Sequence, residues 1–146
     1  MYNMLAHAHS GLRWVVLLLL IVAIGNAFAS WKGQKSFQPK DKKLGLFAMT
    51  FTHIQFLIGL VLYFISPKVV FDASSMKNPT MRFFLVEHLV IMIIAIAVIT
   101  IGYSRAKRIR EDAKKFRTTF VFFLIGLILI LAGIPWPFRG YGTGWF

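Results

Sequence analysis

The sequence predicts an all-α integral membrane protein: a four-helix bundle with both termini outside the membrane and two basic loops in the cytoplasm. Three observations carry that expectation. Hydrophobic residues make up 58% of the 146 residues, against roughly half in ordinary soluble domains. Four apolar stretches, 11–31, 44–66, 83–103 and 117–134, each have roughly the 17–25 residues a helix needs to cross a bilayer. Twelve of the 17 Lys and Arg residues fall in the two short loops that follow the first and third stretches.

The first stretch begins near Arg13 and is bracketed by Trp14 and Trp31, aromatic residues suited to the membrane interface. Residues 15–24 followed by Ala27-Phe28-Ala29-Ser30 also resemble a secretory signal with an A-x-A site. The basic residues follow this run instead of preceding it, so the segment is expected to stay as a helix. Its small residues Ala23, Gly25, Asn26, Ala27 and Ala29 suit close helix contact in lipid. The loop after it carries Lys32, Lys35, Lys40, Lys42 and Lys43, with Asp41 as its single acid.

The second stretch sets Met49, Thr52, His53, Phe56, Gly59 and Tyr63 on one face at helical spacing, and Pro67 ends it. The third aligns His88, Met92, Ala95, Ile99 and Gly102. The seven basic residues from Arg105 to Arg117 follow it, with Glu111 and Asp112. The fourth aligns Thr119, Phe123, Gly126, Ile130 and Gly133 and stops at Pro135 and Pro137. These stripes are expected to face inward. The tail Tyr141-Gly142-Thr143-Gly144-Trp145-Phe146 is expected to lie on outer headgroups or on a partner.

The net charge of +12 would suit a nucleic-acid binder if it were spread over a surface. Concentrated in two loops it is the positive-inside signal of a multi-pass protein of a bacterial inner membrane, and nucleic acid is not needed to explain it. The loops are expected to meet anionic lipid headgroups. The chain has no cysteine, which excludes disulfides, iron–sulfur clusters and thiolate catalysis. Short loops leave no room for a separate soluble domain, so residues 1–146 read as one transmembrane domain.

Ionisable groups inside spans are costly, and each is a functional candidate. A rise of about 1.5 Å per residue, counted from Lys32 and Arg105, puts Arg13 and Glu87 at similar heights, about 28 and 27 Å. An Arg13–Glu87 ion pair tying the first span to the third is expected. The same ruler puts His53 at about 15 Å, His88 at about 25 Å and His9 at about 34 Å. This ladder of imidazoles makes His9, His53 and His88 candidate ligands of haem b, since imidazole is the commonest protein ligand for haem iron and for copper or zinc. Arg13 would pair with a haem propionate, and Phe56, Met92 and Phe123 would line the porphyrin. The alternative is an outer metal cluster of His7, His9, Glu87 and His88, with copper the expected ion. The soft donors Met1, Met4, Met76 and Met81 lie on the same side.

The segments His7-Ala8-His9-Ser10-Gly11-Leu12-Arg13-Trp14, Thr52-His53-Ile54-Gln55, Val86-Glu87-His88 and Ile134-Pro135-Trp136-Pro137-Phe138 together resemble a family of small bacterial four-helix membrane proteins commonly labelled cytochrome b-like. The resemblance covers nearly the whole chain. It implies a transmembrane bundle that carries haem b through His9, His53 or His88.

The leading expectation is therefore an electron carrier with haem b between inward histidines, passing electrons between a quinone and an outer acceptor. Two alternatives stand beside it. One is a non-catalytic accessory subunit, docked on other membrane subunits or on its own copies, with no cofactor. The other is a copper-handling protein. These readings favour an electron carrier or an accessory subunit over a stand-alone enzyme.

Overall fold

A computed structural model describes residues 1–146. It contains no strand and four long helices: α1 (Tyr2–Lys32), α2 (Pro39–Ile65), α3 (Pro79–Arg108) and α4 (Asp112–Gly133). All four are long and apolar enough to cross a membrane, as a multi-pass membrane protein requires. They run up and down in sequence. The ends of α1 and α3 where the chain enters share one end of the bundle with the C-terminal tail, called here the tail end. The basic loops lie at the other.

Local chemistry sets the helix ends. Pro39 and Pro79 stand in the first helical turns, where a missing N–H is no loss. The Asn78 side-chain oxygen accepts from the N–H groups of Thr80 and Met81 at 3.0 and 3.1 Å, capping α3. Asp41 accepts from the Gln38 N–H at 2.8 Å and from Asn26 Nδ2 at 2.8 Å, so one carboxylate both caps α2 and ties it to α1.

All four helices are longer than the expected spans, α1 and α3 the most. α1 starts at Tyr2 rather than near residue 11, since nothing in Tyr2–Ser10 breaks a helix. α3 reaches Arg108 rather than 103, leaving a short link before α4. α3 is also irregular: Phe83–Glu87 forms a π-helical turn, in which bonding slips to i→i+5 and carbonyls are released.

The expected inward stripes hold best on α3 and α4; on α2 only Thr52 of its stripe is buried, and on α1 Ala23 and Ala27 are buried while Gly25 and Ala29 are exposed. Ala95, Ile99 and Gly102 of α3 and Phe123, Gly126, Ile130 and Gly133 of α4 are buried. Around the bundle, α1 packs on α2 and α4, and α4 packs most closely on α3. Gly126 sits directly against Ile99, and Gly133 against Met92, where a Cβ would come within 2.5 Å of Met92 Cε. α2 and α3 touch least of the neighbouring pairs. Leu18, Ile21, Leu57, Phe64 and Ile128 point outward and are exposed, as a lipid-facing surface requires.

Candidate functional site

The loose α2–α3 flank opens into a cavity of about 300 Å³ at the tail end of the bundle, at the lower end of the range for ligand pockets. His9, Ser10 and Arg13 of α1 line it, with Gln55, Phe56, Gly59 and Tyr63 of α2, and His88, Met92 and Ile96 of α3. Residues of the C-terminal tail close it from the tail side.

Two imidazoles meet at this cavity. The His9 and His88 ring centres lie 6.4 Å apart with the planes at 79°. The sequence ruler put them roughly 9 Å apart in height, and about half of that came from counting α3 from Arg105. The helix ends at Arg108, and those three residues raise His88 by about 4.5 Å. His88 Nδ1 lies 2.7 Å from the Gly133 carbonyl oxygen. A carbonyl only accepts, so Nδ1 carries the proton and Nε2 of the neutral ring keeps its lone pair. His9 is seated against α2: a Cβ on Gly59 would stand 2.8 Å from His9 Cε1. Gln55 Nε2 donates to the His9 carbonyl oxygen at 2.7 Å and fixes the α1 backbone there.

His53 is placed elsewhere. Its Nε2 lies 2.8 Å from Thr100 Oγ1, and that hydroxyl donates its own proton to the Ile96 carbonyl at 2.7 Å. Thr100 must therefore accept, and His53 Nε2–H donates. His53 does not line the cavity; it ties α2 to α3 at mid-depth.

The expected Arg13–Glu87 pair does not form. Glu87 Oε1 instead takes Arg82 Nε at 2.7 Å. Residues five apart diverge on an α-helix, but the intervening π turn brings them to one face. Arg13 Nη2 donates to the Trp145 carbonyl at 2.6 Å, with its guanidinium over the rings of Trp14 and Trp136. The outer metal cluster does not assemble either. No group of three or more His, Asp or Glu side chains is gathered to hold a metal ion. His7 reaches the rim of the same cavity as His9 and His88, but the three imidazoles do not converge on one point, and Glu87 is held by Arg82. Met1, Met4, Met76 and Met81 are exposed.

The tail was expected on headgroups or on a partner. It folds back on its own bundle. The Trp145 carbonyl accepts from Arg13 and also from Trp14 Nε1 at 3.0 Å. Lys68 Nζ donates to the Gly142 carbonyl at 2.9 Å, and Thr143 bonds the Pro135 carbonyl. The rings of Trp14, Trp136 and Trp145 pack with centres 6.1–6.3 Å apart. Gly140 and Gly142, both in the left-handed region, turn the chain back. Those glycines and the aromatic run were the available signal. No protein-family model, curated protein or solved structure matches the chain.

Proposed function

We propose that the protein is a membrane electron carrier that holds haem b between His9 and His88. The observation that carries this reading is the pair itself: two imidazoles on different helices, facing across one cavity with ring centres 6.4 Å apart. At that separation one metal ion could be within reach of both imidazoles, the commonest protein ligands for haem iron. When bound, the haem iron supplies reversible one-electron chemistry.

The residues divide the remaining work. His88 is oriented by Gly133 so that Nε2 faces outward from its own hydrogen bond, the arrangement that fixes a ligating imidazole. Gly59 makes room for the His9 ring. Phe56, Met92 and Ile96 supply an apolar wall. The tail, latched by Arg13, Trp14, Lys68 and Pro135, excludes water from the tail side. His53, with Nε2–H committed to Thr100, acts as a helix tie. This reading keeps His9, His88 and Arg13 as cofactor-binding residues.

The positive-inside rule orients the bundle with its basic loops in the cytoplasm, so the cavity and both termini face the periplasm of a bacterial inner membrane. A C-terminal alkaline phosphatase fusion should then be active and a C-terminal green fluorescent protein fusion dark; the reverse pattern contradicts this orientation. The haem reading is tested by purifying the protein from cells supplied with haem precursor. One haem per chain by pyridine haemochrome, with a reduced α-band, is expected. A folded, colourless preparation contradicts it.

A further inference from the structure

Three buried side-chain atoms of the chain have no hydrogen-bond partner: His9 Nδ1, Arg13 Nε and Gln55 Oε1. All three residues line the same cavity. Arg13 is the sharpest case. It is 8% exposed, and its guanidinium is charged at every accessible pH. Of its five N–H donors, one reaches a partner, the Trp145 carbonyl. The chain has two ion pairs, Arg82–Glu87 and Lys114–Glu111, and neither involves Arg13. The two indole faces share some of the charge but supply no anion. An uncompensated charge inside a span is among the costliest groups a membrane protein keeps, and it marks a binding function.

We propose that Arg13 is an anion subsite of this cavity and takes the carboxylate of an amphipathic ligand whose apolar body lies between α2 and α3. The guanidinium fork matches a carboxylate in two-point contact. Beyond it the walls are apolar, with Phe56, Leu60, Met92 and Ile96. The inference rests on the haem reading for one source of the carboxylate, a porphyrin propionate. A long-chain fatty acid drawn from the bilayer is the other source of the same chemistry.

The test compares esterified with free acid ligands on the full-length protein in detergent. Haem and haem dimethyl ester are titrated into wild type and Arg13→Gln, with Arg13→Lys and the melting profile as controls for folding. Relative to Arg13→Gln, wild type should prefer the free acid about 10- to 100-fold, the range for a hydrogen bond to a charged group, and Arg13→Lys should keep part of that preference. The axial-ligand spectrum at saturation should be the same for both ligands. Equal preference in wild type and Arg13→Gln, with that spectrum intact, overturns the subsite and leaves the haem reading standing. Should neither porphyrin bind, the haem reading fails, and a fluorescent polyene fatty acid is titrated against its alcohol. An Arg13-dependent preference for the acid supports the subsite with lipid as its source; none in either arm overturns it.

Discussion

α3 has two neighbours and meets them in opposite ways. On the α4 side Gly126 and Gly133 bring the backbones together until Ile99 and Met92 fill the space a Cβ would need. On the α2 side the helices stand apart. Two polar contacts bridge that gap: His53 to Thr100 at mid-depth, and Tyr63 Oη donating to the Leu85 carbonyl at 2.9 Å within the π turn. The cavity lies along that flank toward the tail end. In lipid, small residues drive helix association and polar contacts add specificity. Here the first device closes one flank of α3 and the second holds the other open at a set width. His88 belongs to both: its Nδ1 anchors to Gly133 on the closed flank, and its ring faces His9 across the open one.

That contrast can be broken from either side. The largest stability effect is expected on the closed flank. Gly126→Val drives two methyl groups into Ile99 and the Ala95 carbonyl, and should destabilise the bundle by about 3 kcal/mol, measured by unfolding in mixed detergent micelles. On the open flank, Gly59→Val strikes His9 instead. There the ring can swing into the cavity, so stability should fall by less than about 1.5 kcal/mol while haem content falls at least about tenfold, roughly 1.4 kcal/mol of lost affinity. Equal effects of the two valines on stability would contradict the division into closed and open flanks. Deleting residues 142–146 removes the carbonyls that latch Arg13, Trp14 and Lys68. It should speed haem transfer to apomyoglobin severalfold with little change in melting. The smallest effect belongs to the basic-loop end: Asn26→Leu loses the bond to Asp41, about 0.6 kcal/mol, and should leave the haem spectrum unchanged.

Much of this arrangement is legible in the residues. The four spans follow from hydropathy, and the stripes through Phe56 and Gly59, Met92 and Ile99, and Phe123 and Gly126 follow from helical spacing, since the side chains that pack inward recur every three or four residues. The polar pairings do not follow. A depth ruler assumes regular helices with known ends, and α3 has neither. Its extension to Arg108 brings His88 closer to the height of His9, and its π turn hands Glu87 to Arg82 instead of Arg13. Nothing in the spacing announces a π turn, because its stability comes from partners such as Tyr63 that are distant in sequence. The folded-back tail was hidden for the same reason: its anchors, Arg13, Trp14 and Lys68, lie some 75 to 130 residues away.

The proposed functional pair is His9 and His88, and not His53, which is committed to Thr100. The most direct test is the absorption spectrum of three single variants, His9→Ala, His88→Ala and His53→Ala, purified side by side from haem-supplied cells. Loss of the reduced α-band in the first two, with the wild-type band and haem content kept in His53→Ala, is the predicted result. Loss of the band in His53→Ala, with its retention in either of the others, would contradict it.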